Sequence, residues 1–260
     1  MLFRSVLEKY QEVAESVRQL ISDGTYAPGS EVPSIEAMMQ EYNVSRTTVR
    51  HAIKLLTDDG LLNPGRGRRK TTVRDSRRIR VSFSRYDSVM KPGGLAGPWE
   101  TACSQQGLDG EMKTVTVENR PIGQADAELL GIEPGSDVTY RLRHACVGDE
   151  VLQVQQAWYP AGVALQAGLS SPTKVRGGIY GALIAAGLRP AAVDETIRGR
   201  MPTKEEADLM RTGTGVPLLT VERITRGADG QALELLRVTA PADRIEFVYT
   251  NLPLAEGRSA

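Results

Sequence analysis

Within the first 75 positions the apolar residues change period, from about 3.6 to about 2, and this change constrains the fold more than any other feature. Val13, Val17, Leu20 and Ile21 recur at i, i+4, i+7 and i+8, one face of a helix that stops at Asp23-Gly24. Tyr26-Ala27-Pro28-Gly29 reads as a turn. Ser34 can cap a second helix with Ile35, Met38, Met39 and Tyr42 on its inner face. After Asn43-Val44, Ser45 can cap a third, with Val49, Ala52, Ile53 and Leu56 inward and Asp59-Gly60 as its end. Leu61-Leu62 and Thr71-Thr72-Val73 then flank the basic turn Asn63–Arg68, the pattern of a β-hairpin. Three short helices and a hairpin are the parts of a winged helix-turn-helix.

The chemistry falls where such a module needs it. Opposite the core face of the third helix stand Arg46, Arg50 and Lys54 at i, i+4, i+8, with Thr47 and His51 beside them. Arginine can bond guanine O6 and N7 with two donors, and threonine suits a phosphate or a thymine methyl. The helix start at Ser45 and Arg46 favours a phosphate oxygen. At the hairpin tip, Gly65 and Gly67 would let Arg66 and Arg68 approach a groove or backbone.

The chain has 260 residues, enough for two domains, and carries no net charge. Residues 1–80 hold 14 basic and 10 acidic side chains, net +4, which leaves −4 for the rest. Eight bases lie between Arg66 and Arg80 against one acid, Asp75. Such a split suits one polyanion-binding end, although a solvated basic linker would also show it. No stretch approaches the roughly 20 apolar residues of a membrane span, and the start lacks signal-peptide character, so a cytoplasmic location is expected. Cys103 and Cys146 lack metal-ligand spacing and read as reduced thiols; no metal or cofactor is expected.

Beyond Arg80, short apolar runs dominate: 81–83, 112–117, 138–143, 152–158, 218–224, 233–238 and 245–249. Helical patterns interrupt them at 124–130, 179–186 and 204–210, and 88–98 reads as a Gly/Pro-rich loop. The order indicates an α+β domain around an antiparallel sheet. Arg141 and Arg143 flank Leu142 on one strand face, so an anion between them is a sensible ligand. Pairing of both arginines with acids elsewhere is the alternative. His144 falls on the other face and is read as structural.

The first 75 residues resemble the GntR family of regulators. The resemblance rests on Asp23-Gly24-Thr25-Tyr26-Ala27-Pro28-Gly29-Ser30, Val32-Pro33-Ser34, Val44-Ser45-Arg46-Thr47-Thr48-Val49-Arg50 and Asp59-Gly60-Leu61-Leu62. It implies that Arg46, Thr47, Thr48 and Arg50 touch operator DNA, assisted by the wing at Gly65-Arg66-Gly67. Ile35-Glu36 stands where the family has Glu-Arg, so a second-helix arginine is missing and the operator is expected to differ. Residues 80–250 resemble the effector-binding (UTRA) domain of the HutC subgroup, a chorismate-lyase-like fold. The matching text includes Trp158-Tyr159-Pro160, Ile179-Tyr180-Gly181-Ala182-Leu183, Asp194-Glu195-Thr196-Ile197 and Asp243-Arg244-Ile245-Glu246-Phe247. Arg141, Arg143, Gln155, Tyr180 and Glu234 are the pocket candidates this resemblance implies. Gln155 replaces a glutamate often found there, which keeps a polar ligand but does not specify an amino sugar.

The expected organisation is a DNA-binding domain at 1–75, a linker at 76–87 and an effector-binding, dimerising domain at 88–260. The expected function is a homodimeric repressor of operator DNA controlled by a small anionic or polar effector. A ligand-independent repressor of a mobile element is the alternative. Catalysis is disfavoured, because the second domain offers one histidine and no nucleophile motif.

Overall fold

The computed structural model describes residues 2–65, 70–75, 77–82, 97–175 and 177–250, with side chains from residue 9 onward. They form two compact units, one of 1–77 with 200–218 and one of 78–199 with 219–260.

In the first unit, α1 (Leu2–Ser22), α2 (Ile35–Glu41) and α3 (Arg46–Asp58) pack around Val13, Val17, Met38, Val49, Ala52 and Leu56. These are the residues whose helical spacing predicts an inward face. Ser34 and Ser45 cap α2 and α3 by accepting from the amides of Ala37 and Thr48 at 3.1 and 3.2 Å. Each cap satisfies an amide that has no partner within its helix. β1 (Leu62–Asn63) and β2 (Thr72–Val73) pair antiparallel, with Leu62 opposite Val73 and both side chains in the same core. The strands are short, but this is the expected wing. Also in this unit is α8 (Lys204–Leu209), whose Thr203 and Glu206 form a reciprocal capping box.

The second unit is built on a six-stranded sheet ordered β4-β5-β6-β9-β8-β7. Its strands are β4 (Gly110–Pro121), β5 (Asp137–Val147), β6 (Glu150–Pro160), β7 (Pro190–Arg200), β8 (Leu218–Gly227) and β9 (Ala232–Pro241). The β4–β5, β5–β6 and β6–β9 pairs are antiparallel, as expected. A separate parallel pair joins β3 (Ile79–Ser82) to β10 (Ile245–Val248). Among the described residues, helices α4 (Pro98–Ser104), α5 (Gln124–Leu130), α6 (Ala161–Gln166) and α7 (Gly178–Ala185) also belong to the unit. Three of these elements, β7, α4 and α6, escape the periodicity argument. β7 is largely exposed, so it has no alternating apolar face to read.

Candidate functional site

The first candidate surface is the outer side of α3. Arg46, Thr47, Arg50, His51 and Lys54 are exposed along it, and Ser45 lies at its capped N-terminus. Two of the cations face carboxylates: Arg46 pairs with Glu36 on α2, and Lys54 with Asp58 one turn on. His51 leans against Tyr10 of α1, edge to face, with ring centres 5.9 Å apart. Thr48 does not share this surface. It is 4% exposed, and its hydroxyl lies 2.9 Å from that of Ser45, so it belongs to the capping arrangement. Gly65 is exposed, with its amide 3.4 Å from the Thr71 hydroxyl, while Arg66 and Gly67 lie outside the described residues.

Of the basic run between Arg66 and Arg80, the described residues are Lys70, Arg74, Arg77, Arg78 and Arg80, and their partners differ. Lys70 pairs with Glu31, Arg77 with Asp75, and Arg78 and Arg80 both with Glu246. Arg74 is buried at 3% exposure and donates from one Nη to the Arg211 carbonyl at 2.6 Å and to Asn63 Oδ1 at 3.2 Å. Among the described residues, then, the concentration of bases in sequence is not one cationic patch. Among the described residues, α3 sets three exposed cations, Arg46, Arg50 and Lys54, along one side.

The second candidate is a cavity of about 140 Å³ inside the second unit. Its floor is one register row across four strands, in which Thr114 of β4, Arg143 of β5, Gln155 of β6 and Val238 of β9 stand side by side. All five sequence candidates, Arg141, Arg143, Gln155, Tyr180 and Glu234, line it. They come from β5, β6, β9 and α7, which only the tertiary fold brings together. Trp99, Ile179, Leu236 and Val238 supply apolar wall.

Hydrogen bonding separates the two arginines. Arg141 is 1% exposed, and its Nη atoms donate to the carbonyls of Leu169, Ser171 and Thr173 at 2.6, 2.7 and 3.3 Å. It therefore secures the chain between α6 and α7. Burial lowers its pKa below the usual arginine value, and the charge of Arg143 acts in the same direction. Arg143 Nε is buried without a hydrogen-bond partner among the described residues, and so is Nε2 of Gln153, a residue 2% exposed. Gln155 Nε2 donates to Gln153 Oε1 at 3.2 Å. Glu234 is also buried and accepts from Tyr159 at 2.6 Å and Thr225 at 3.4 Å. Tyr180 reaches Thr225 at 3.0 Å. Burial raises the pKa of both tyrosines, and Glu234 adds to the effect at Tyr159. The phenols thus stay protonated and keep these hydrogen bonds.

Sequence reasoning passed over Gln153, Arg223, Lys174 and Trp99, which share this lining. Gln153 was accessible to it, since it lies two positions from Gln155 and so on the same strand face. Arg223 pairs with Glu195, both nearly buried, and nothing local to either residue foretells that pairing.

A capped helix presenting cations beside a β-wing, and a separate sheet enclosing a polar cavity, define a winged helix-turn-helix transcription regulator with a second, cavity-bearing domain. Residues 9–73 match the family described as bacterial regulatory proteins, gntR family, and residues 105–246 match the UTRA domain. The chain belongs to the GntR family of regulators, in the HutC subgroup that carries a UTRA domain. It is 28% identical over 246 residues to an HTH-type transcriptional regulator of Streptomyces coelicolor, covering 93% of this chain and 91% of that one. The HTH-type transcriptional repressor PhnF of Mycolicibacterium smegmatis is 24% identical, with 84% of this chain and 83% of PhnF covered. A crystal structure of a GntR-family transcriptional regulator aligns with a TM-score of 0.59 at 27% identity, over 95% of this chain and 98% of that one.

Proposed function

We propose that the protein is a homodimeric repressor that holds two copies of α3 in successive major grooves of a palindromic operator, about 34 Å apart. The observation that carries this reading is the exposed α3 stripe on a helix capped at Ser45. Arg46 and Arg50 read base edges, Thr47 and the N-terminus at Ser45 meet phosphates, and Gly65, Arg66 and Gly67 bring the wing to the duplex. In the unbound head Glu36 holds Arg46, so that Arg46 exchanges one acceptor for another on docking. The proposed functional division is a DNA-binding domain at 1–75, a linker at 76–87 and an effector and dimerisation domain at 88–260; it differs from the compact units in that Ile79–Ser82 belongs to the second unit and Arg200–Leu218 to the first. The repressor names of relatives such as PhnF support the sign.

The cavity takes a small anionic effector, a carboxylate or a sugar phosphate. Arg143, Gln153 and Gln155 present donors to its acceptor oxygens, Glu234 accepts from a hydroxyl, and Tyr180 helps to orient it. The donors of Arg143 and Gln153 that lack acceptors among the described residues support an acceptor-rich ligand, because a buried unmatched donor costs about 1–3 kcal/mol. Occupancy releases DNA by favouring another arrangement of the heads, with a coupling of about 1–3 kcal/mol. The protein is a regulator in this reading and not an enzyme.

Thermal-shift measurements with inorganic phosphate, sugar phosphates and dicarboxylates test the cavity, on the native chain and on Arg143→Met. Stabilisation of the native chain that is lost in Arg143→Met is expected. Equal shifts in both would place the anion elsewhere. Footprinting with the stabilising compound tests the sign, and tighter DNA binding would contradict repression by release.

A further inference from the structure

The segment Arg200–Leu218 belongs to the same compact unit as the three helices, although it stands between two strands of the sheet unit's sequence. Its glycines show what it does. Gly213 and Gly215 stand in Thr212-Gly213-Thr214-Gly215-Val216, and neither has a positive φ, so the turn itself does not require glycine. What requires it is the C-terminal end of α3. A Cβ on Gly213 would lie 1.9 Å from the Thr57 carbonyl oxygen, and one on Gly215 would lie 2.4 Å from that of Asp58. Those carbonyls lie in the last turn of the helix, where the Thr57 carbonyl accepts from the Gly60 amide at 3.0 Å. Beside them Thr214 donates to Asp58 Oδ1 at 3.0 Å, and buried Arg74 donates to the Arg211 carbonyl. Thr212, Met210 and Val216 are all buried.

We infer that Arg200–Leu218 is a clasp on the C-terminal end of the DNA-reading helix, and that it conveys the state of the cavity to that helix. This rests on the functional reading above. The connection runs through covalent structure. Arg200 ends β7 and Leu218 begins β8, and these two strands carry the Glu195–Arg223 pair. Arg223 lines the cavity. It is five residues from Leu218, about 17 Å along an extended strand. A ligand that draws Arg223 away from Glu195 therefore acts on both strands leading into the clasp. The closed clasp leaves Arg46 and Lys54 exposed, with 51% and 70% of their side-chain surface accessible. It holds α3 by its far end without covering the reading face, and a helix held in place binds its site with less loss of freedom. The clasped head is the DNA-binding form.

The experiment uses the full chain and three variants, Gly213→Ala, Thr214→Val and Arg223→Gln. Hydrogen exchange is followed in residues 55–60 and 204–218, with β5 and β6 as the internal control. Duplex recovered from genomic fragments by the native protein, and random duplex, are then titrated by fluorescence anisotropy. Gly213→Ala is expected to speed exchange in both segments by about tenfold and to weaken binding to the recovered duplex by about tenfold, with random duplex within about twofold. Thr214→Val follows with smaller changes in the same direction. Arg223→Gln is expected to speed exchange in 55–60 while β5 and β6 stay protected. Unchanged exchange in 55–60 for Gly213→Ala overturns the clasp, and for Arg223→Gln it overturns the route from the cavity. Tighter binding of the recovered duplex by Gly213→Ala overturns the assignment of the clasped head as the DNA-binding form. If the native chain recovers no duplex, the DNA reading itself fails, and the exchange data still decide whether the clasp exists.

Discussion

Arginine does opposite work in the two units. On α3, Arg46 and Arg50 stand in water, and what pairs them is another exposed side chain or nothing rigid. On β5, Arg141 and Arg143 are drawn into a sheet, one of them anchored to three carbonyls. Exposed charges are cheap to hold and easily handed to a phosphate or a base, since surface ion pairs contribute about 0–1 kcal/mol. Buried charges are costly unless matched, so their partners define the site. The same residue type is thus a mobile reader in one place and a fixed determinant of cavity chemistry in the other.

The strongest way to break this contrast is Arg141→Met. Three carbonyls lose a charged donor, and the loop between α6 and α7 loses its anchor. A loss of about 3 kcal/mol is expected in chemical unfolding of the second unit. Arg46→Met, in contrast, should leave stability within about 0.5 kcal/mol. Equal stability losses in the two variants would erase the distinction.

The next effect is alkaline. Burial, with help from Glu100 and Asp109, pushes the Cys103 thiol from its ordinary 9.0 up to about 11. The folded thiol keeps its proton where the unfolded one has lost it. Stability is therefore undiminished by this group below pH 9 and falls between pH 9 and 11, by up to about 1.4 kcal/mol per pH unit. The buried phenols of Tyr159 and Tyr180, also raised, act in the same sense above pH 10. Both tryptophans, Trp99 and Trp158, lie in this unit, so urea titrations followed by their fluorescence from pH 8 to 11 report it. A flat profile would show that these groups are not buried as described.

Ser45→Ala removes the α3 cap and should cost the head about 1 kcal/mol in helix-specific unfolding, with the tryptophan signal unmoved. The smallest expected effect is that of Glu36→Gln. It removes a negative charge beside the proposed groove contacts, so affinity for random duplex should rise by a few fold while stability stays within about 0.5 kcal/mol. Lower affinity would instead give Glu36 a direct part in holding Arg46 for the duplex.

The head was legible because its rules are local. Ser34, Ser45, Asp59-Gly60 and the 3.6 spacing of Val49, Ala52 and Leu56 each act within a turn or two. The exposed side of α3 follows from the same spacing, although Thr48 turns inward through its own short-range bond to Ser45. The cavity was legible only as a set of residues. Arg141 and Arg143 follow from strand alternation, and the other three came through family likeness. Their division of labour depends on carbonyls about 30 positions away in the chain, from Leu169 to Thr173. Arg200–Leu218 was least legible. Its helix was readable, but its attachment rests on two glycines and on Thr214, which look like ordinary turn residues until α3 is placed beside them, and on Arg74 far away in sequence.

The central claim is that the α3 stripe reads bases. The direct measurement is selection of genomic fragments at low salt, with the native chain and with the double variant Arg46→Ala/Arg50→Ala in parallel. The native chain is expected to enrich a two-fold symmetric sequence and to prefer it over random duplex by about a hundredfold or more, with that preference lost in the variant while its fold persists. Enrichment of the same sequence by both proteins, or of no sequence by the native chain, would contradict the claim.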